Sequence, residues 1–257
     1  MRDISVNSVR AIDRAIDILN AFSIDHPILS IDEITAATKL PKTTAYRILY
    51  TMELRGLIQY DPKSLNYRLG LKVLEYSGIL TSFLDIRQEA EEILIELQVK
   101  AKQTVIMAVP EQDTMVYVYK RENPEGLKYS SFIGLRRPLH YGVLGQVMMA
   151  YLSEEDLARL INKHPIERLT VKTVTDLTLL RERLESIRRD QVYVDMEETF
   201  DGGIGMGSPV FDSEGTLIAA LGIIGPSAQL IGEPFEAAKT LVKNAAAEIS
   251  KKMGFID

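Results

Sequence analysis

The stretch Leu40–Arg55, LPKTTAYRILYTMELR, carries the most definite chemistry in the chain. On a helical wheel Thr43, Arg47 and Tyr50 share one face, with Lys42, Thr44 and Tyr46 beside them. These side chains donate hydrogen bonds to phosphate oxygens, and the longer ones reach base edges in the major groove of DNA. The opposite stripe, Ala45, Ile48, Leu49 and Met52, recurs at i, i+3, i+4 and i+7, so that face has to be buried. Pro41 suits the first turn, where its missing N–H costs nothing. A solvated amphipathic helix has the same pattern in isolation, so the neighbouring segments decide between the two.

Other constellations are weaker. His26, His140 and His164 are scattered, with no i, i+4 pairing and no acidic partner at metal-ligand spacing, so no metal is expected. The chain has no cysteine, which excludes disulfides, thiolate metal sites and Cys nucleophiles and suits a reducing cytoplasm. The run Gly203-x-Gly205-x-Gly207 leads into Ser208-Pro209-Val210 and a strand, unlike a phosphate cradle, which opens a helix. No G-x-S-x-G nucleophile elbow occurs. Glu197 and Glu198 are adjacent, and adjacent strand residues point to opposite faces unless the backbone bends. No cofactor is implied. An enzyme whose second domain turns over a small molecule, with the N-terminal helices as a dimerisation module, is the rival reading; it lacks a nucleophile–base pair or a metal set.

A chain of 257 residues has room for two domains and a substantial core. The net charge of −6 divides unevenly, since residues 1–70 hold nine Lys/Arg against eight Asp/Glu and the remainder 21 against 28. DNA contact therefore depends on the local placement of a few cations, while an acidic body discourages non-specific adhesion. The periodicity predicts a first helix from about Ser8 to Phe22, with Ile12, Ala15, Ile16, Leu19 and Phe22 on one stripe. Its acidic residues make it neither a signal peptide nor a membrane span, and no apolar run elsewhere is long enough to cross a bilayer.

Asp25-His26-Pro27 breaks that helix, and Ser30-Ile31-Asp32-Glu33 has the spacing of a capping box for a short second helix through Ile34, Ala37 and Leu40. Helix, capped short helix, tight turn and a helix with a polar outer face is the helix-turn-helix order. Leu57–Tyr60 and Asn66–Leu69 read as strands joined by turn residues Asp61-Pro62-Lys63-Ser64. As a wing, this hairpin would offer Lys63 at its tip and Arg68 on its second strand to phosphates; an ordinary solvated hairpin has the same pattern.

Residues 71–100 are helical in pattern, with Gly78 and the Asp85-Ile86-Arg87 region as candidate interruptions, and Leu74, Leu80, Phe83, Leu84, Ile93, Leu94 and Leu97 are spread around more than one stripe. A linker of this kind has to bury its apolar surface against a second subunit or against its own core. Beyond it, Thr104–Val109 and Met115–Tyr119 predict a hairpin, and Leu127–Ile133 a third strand. Helices follow at Gly142–Tyr151, Glu154–Asn162 and Asp176–Arg189, then strands at Val192–Met196, Ile204–Phe211 and Thr216–Ile224, with Asp212–Gly215 a tight turn. A helix from about Glu233 to Met253 closes the chain. Strands before and after a helical middle indicate an α+β fold, an antiparallel sheet with flanking helices.

Over nearly its whole length the chain resembles the IclR family of bacterial transcriptional regulators. The matching pieces are Ala11-Ile-Asp-Arg-Ala-Ile-Asp-Ile-Leu19, Leu40-Pro-Lys-Thr-Thr-Ala-Tyr-Arg-Ile-Leu49 and Tyr67-Arg-Leu-Gly70. Further on they are Pro138-Leu-His140, Asp195-x-x-Glu198-x-x-x-Gly202, Ser208-Pro-Val-Phe-Asp212 and Gly225-Pro226. The resemblance implies a winged helix-turn-helix DNA-binding domain at 1–70, a linker helix region at 71–100 and a GAF-like effector-binding domain at 101–257. It also implies dimers that often pair into tetramers, a pseudo-palindromic DNA operator and a small organic effector.

Departures from the family pattern fall around the ligand. Gly145-Gln146 stands where the family usually has Gly-Lys, and Val192-Tyr193 where Gly-Tyr is common. The positions that are often polar in members binding small oxoacids match Asp195, Gly205, Gly222 and Ile224, with backbone near Val143 and Leu144. Only Asp195 keeps a charge. Gly203, Gly205 and Gly207 share one strand face and leave it bare. This predicts a larger, more apolar pocket suiting an aromatic or otherwise bulky ligand, an acid held by Arg137 or Tyr129. The same glycines would also permit close packing, with the cavity filled by protein.

Overall fold

A computed structural model describes residues 8–82, 85–123 and 131–256. The chain divides into two compact units, 1–84 and 85–257. The first contains α1 (Arg10–Asn20), β1 (Ile28–Ser30), α2 (Ile31–Thr38), α3 (Lys42–Leu54), β2 (Ile58–Asp61), β3 (Asn66–Leu69) and α4 (Lys72–Ser82). The three strands form an antiparallel sheet in the order β1-β3-β2. Ile18 of α1, Ile34 of α2 and Ala45, Leu49 and Met52 of α3 meet Leu29, Ile58 and Tyr67 in one core.

The capping box forms as its spacing predicts. The Glu33 amide donates to Ser30 Oγ at 3.3 Å, and the Ser30 amide donates back to Glu33 Oε2 at 2.7 Å. Two otherwise unpaired donors at the start of α2 are satisfied reciprocally. Ser30→Ala is expected to cost about 1 kcal/mol of stability. Chemical denaturation reads it directly, and an unchanged midpoint would show that Glu33 alone caps the helix.

One expectation needs correction in this unit, and one element was not foreseen. The predicted stripe of α1 is inward in part: Ala15, Leu19 and Phe22 pack against the core, but Ile18 is the fully buried residue, and Ile12 and Ile16 are 57% and 48% exposed. The helix is apolar on two faces, and its own core takes only one of them. β1, which adds a third strand to the wing hairpin, had no signal in a segment of three residues after Pro27. The region expected as linker is helical wherever it is described, at 72–82 and 85–101, and residues 83–84 lie outside the described residues.

The second unit runs α5 (Asp85–Ala101), β4 (Thr104–Glu111), β5 (Thr114–Arg121), β6 (Arg136–Pro138), α6 (Gly142–Met149), α7 (Glu154–Lys163), α8 (Leu177–Asp190), β7 (Tyr193–Met196), β8 (Gly203–Phe211), β9 (Leu217–Pro226), a short 3-10 turn and α9 (Glu233–Lys252). Its sheet is antiparallel throughout, in the order β6-β5-β4-β9-β8-β7. Every residue of β8 is buried, so helices have to cover both faces of the sheet. α6 lies on one face with α7 and α8 behind it, and α5 and α9 pack together on the other.

The third strand expected at Leu127–Ile133 is not found where it can be checked. Residues 127–130 lie outside the described residues, and 131–133 are loop and turn. β6 takes that place in the sheet, pairing Thr114–Val116 with Arg136–Pro138. Among the described residues no helix is long and apolar enough to cross a membrane.

Candidate functional site

In the first unit α3 presents a polar face held by a buried one. Ala45 and Leu49 are fully buried, while Thr43 and Arg47 are exposed, and Tyr46 and Tyr50 are 47% and 63% exposed. Two tyrosines left in water beside an arginine form a surface able to donate hydrogen bonds and to stack. Thr44 is half-buried. Lys42 is exposed but engaged, its Nζ 2.6 Å from Asp32 Oδ1 at the start of α2. That hydrogen bond raises the Lys42 pKa, so the ammonium stays charged.

The wing tip is ordered by Asp61. Its carboxylate accepts from the Lys63 amide at 3.0 Å and from the Ser64 hydroxyl at 2.7 Å, and these donors lower its pKa, the hydroxyl most. Leu65 closes the turn in the left-handed region at φ 58°. The Lys63 side chain stands exposed at the tip. Arg68 is exposed on β3, and its Nε donates to Gln59 Oε1 across the hairpin at 3.1 Å. All eight residues expected to meet DNA thus belong to the first unit, and all but Thr44 are exposed.

In the second unit the structure gathers five of the eight expected effector residues. Val143, Leu144, Asp195, Gly205 and Ile224 line one cavity, together with Gly142, Thr199, Phe200 and others from β4, β5 and β8. Gly222, on β9, does not line it; Leu144 lies against its bare face. Arg137 is not brought in: it sits on β6, its guanidinium 4.8 Å from the centre of the Tyr141 ring. Tyr129 lies outside the described residues.

The expectation of an enlarged pocket is corrected. The cavity measures only about 10 Å³, room for roughly one water molecule. The space bared by the glycines is filled by side chains from the facing helix. A methyl group built on Gly205 would lie 3.0 Å from Val143, and one on Gly207 3.0 Å from Val143 and 3.3 Å from Val147. On Gly203 it would strike the Phe200 ring at 1.8 Å, so that ring already lies over this part of the strand. The glycines allow helix and sheet to approach closely.

Asp195 separates this apolar cavity from a second, polar one of about 20 Å³ lined by His140, Gln146, Tyr193 and Glu198, with Gly142 and Thr199 shared between them. The Asp195 carboxylate accepts from the Glu198 amide at 2.8 Å and from the Thr199 hydroxyl. Burial nevertheless pushes its pKa up, against the effect of these donors. Glu198 is paired with Arg183 at 2.8 Å and accepts from the Tyr193 hydroxyl at 3.0 Å. Burial pushes the Tyr193 phenol well above its usual range, and burial lowers the pKa of His140.

The backbone does bend between Glu197 and Glu198. Glu197 has φ 65°, its carboxylate paired with Lys172 at 2.5 Å and accepting from Ser227 at 2.8 Å. The two carboxylates serve different partners and do not flank one reacting centre. Among the described residues no group of three or more His, Cys, Asp or Glu could hold a metal. Sequence reasoning missed Phe200 and Thr199, which stand in the irregular segment after β7. The proximity of that segment to Asp195 was the one available signal.

At the N-terminus of α6 no side chain caps the helix. Gly142, Val143 and Leu144, whose amides have no partner within a helix, line the apolar cavity. A helix start of this kind favours an anionic group.

Comparison with known proteins bears on both units. The family model described as bacterial transcriptional regulator IclR C-terminal matches residues 79–251, and that described as IclR helix-turn-helix domain matches residues 11–62. The chain is 28% identical over 251 residues to the HTH-type transcriptional regulator KdgR of Escherichia coli K12, covering 98% of this chain and 95% of that protein. It is 28% identical over 247 residues to XynR of the same organism, covering 96% and 98%. Among solved structures, the IclR protein of Thermotoga maritima superposes with a TM-score of 0.80 at 25% identity, covering 96% of this chain and 99% of that one. An IclR homologue from Microbacterium hydrocarbonoxydans complexed with 4-hydroxybenzoate gives 0.85 at 23% identity, covering 95% and 98%.

Proposed function

The chain belongs to the IclR family of bacterial transcriptional regulators, and from that premise we propose that α3 reads a DNA operator while a small organic acid bound beneath α6 controls the outcome. The observation that carries the DNA reading is the division of α3, with Ala45 and Leu49 sealed inside and Arg47, Tyr46 and Tyr50 outside. In this reading α3 lies in the major groove, Thr43, Arg47 and Tyr50 meet base edges, and Lys42, Thr44, Tyr46, Lys63 and Arg68 meet phosphates.

A second copy of the chain completes the reader. Val9 just before α1, Ile12 and Ile16 on it, and Leu71 and Leu74 around the start of α4 are all exposed. Apolar surface of this extent calls for a partner. Two subunits would present two α3 helices to a pseudo-palindromic site.

The effector carries a carboxylate, met by the free amides at the start of α6, and its body lies against Ile224 and Gly205. Since the cavity is filled, binding displaces the Phe200 ring, and an aromatic acid replaces it like for like. The relative that holds 4-hydroxybenzoate supports this class of ligand. An equilibrium between two placements of the DNA-binding units needs a differential affinity of only a few kcal/mol to respond.

Gel-shift on the DNA upstream of the gene, at a fixed salt concentration and with a panel of aromatic acids, tests both halves. Affinity is expected to fall steeply with salt, and one acid is expected to change it. Gly205→Ala, which adds a methyl to the cavity wall, is expected to leave operator affinity alone and weaken the effector response about tenfold or more. Failure to select operator over unrelated DNA would overturn the first half, and an undiminished response in Gly205→Ala the second.

A further inference from the structure

The polar cavity beside Asp195 is not explained by a carboxylate at the start of α6. Of the carboxylates that line it, Glu167 is exposed to solvent, and the inner two are already served: Glu198 by Arg183, by the Tyr193 hydroxyl and by the Val174 amide at 3.2 Å, and Asp195 by Thr199 and the Glu198 amide. Two buried acceptors remain. Among the described residues Gln146 Oε1 and His140 Nδ1 have no hydrogen-bond partner. Gln146 is 7% exposed, and its amide makes only a long contact of 3.4 Å to the His140 carbonyl.

Buried polar atoms in folded proteins nearly always have partners, so two orphans in one polar cavity point to a missing donor. The cavity, about 20 Å³, admits a single hydroxyl-sized group. Both orphans sit on groups that are uncharged at neutral pH, the imidazole because burial opposes its protonation. A neutral donor fits them better than an ammonium ion. Gly142, Asp195 and Thr199 wall both cavities, so a molecule seated in the apolar one has its nearest polar neighbour here.

We propose that the effector is a hydroxylated acid whose hydroxyl enters the polar cavity and donates to Gln146 and His140. This rests on the effector site proposed above and adds what that site selects. Gln146 and His140 discriminate a hydroxylated ligand from its unsubstituted parent, because a ligand lacking the hydroxyl leaves both acceptors unpaired.

Calorimetric titration of the full-length protein with benzoate and its three hydroxy isomers tests this. One isomer is expected to bind wild type about tenfold or more tighter than benzoate. In Gln146→Leu that advantage is expected to shrink below about threefold while benzoate affinity is retained. Gln146→Met, closer in shape, serves the same purpose should the leucine variant unfold early. Equal affinities for all four acids, an advantage that survives both substitutions, or binding by none of them would overturn the proposal. Benzoate binding that is lost in Gly205→Ala but indifferent to the hydroxyl would overturn it while sparing the effector site.

Discussion

Arg47→Ala is expected to weaken operator binding by about 1 to 3 kcal/mol and to relax the preference at one base position. The reason lies in how the cations of the first unit are engaged. Lys42 is tied to Asp32, whereas Arg47 stands exposed on the middle turn of α3 and, among the described residues, forms no ion pair. A guanidinium there can make a two-pronged contact with guanine in a fixed, planar geometry, which a threonine cannot imitate. Lys63, on the wing, is expected to behave differently: its removal weakens all sequences alike and lowers the dependence of log affinity on log salt by about one. Titration of wild type and both variants against a set of singly substituted operators separates the two roles. If Arg47→Ala lowered every affinity by the same factor, the assignment of Arg47 to a base would fail.

Gly145→Ala is expected to destabilise the second unit by about 3 kcal/mol or more, at the upper end of overpacking effects. A methyl at this position would sit 2.0 Å from the Leu139 carbonyl oxygen, and backbone cannot give way as a flexible side chain can. The same close approach sets α6 against the sheet, with Val143 and Leu144 over Gly205 and Gly222. Effector binding should therefore collapse together with stability, although Gly145 does not line the cavity. Thermal unfolding is expected to fall by roughly 6 to 12 °C, at about 2 to 4 °C per kcal/mol for a unit of this size. A shift of less than about 2 °C would mean that α6 can back away from Leu139 at little cost.

What could be read from the residues depended on whether the signal was local. The Ser30–Glu33 box, the Asp61–Ser64 turn and the buried stripe of α3 are decided within a few residues, and the structure has them where the spacing puts them. On α1, Ala15 and Leu19 face inward as the spacing predicts, but Ile18 is buried in place of Ile12 and Ile16, since the three isoleucines are equally apolar and the choice belongs to the packing of α2 and α3. β6 was misplaced because two arginines and a proline look nothing like a strand. A cavity was expected at Asp195, Gly205 and Ile224, and these residues do line one, yet its volume was not legible. Bare glycines state how much room one wall leaves, while Val143, Val147 and Phe200, from other elements, decide how much is taken.

β6 has a further bearing on how the protein behaves at high concentration. It is the outermost strand of the described sheet on its side, three residues long, with Arg136 and Arg137 side by side and Pro138 lacking an amide hydrogen. A foreign strand trying to continue the sheet there meets repulsion and a gap in the ladder. At this edge, aggregation by strand addition, a hazard for any open sheet, is thus opposed by the same short segment whose unpromising composition hid it from view.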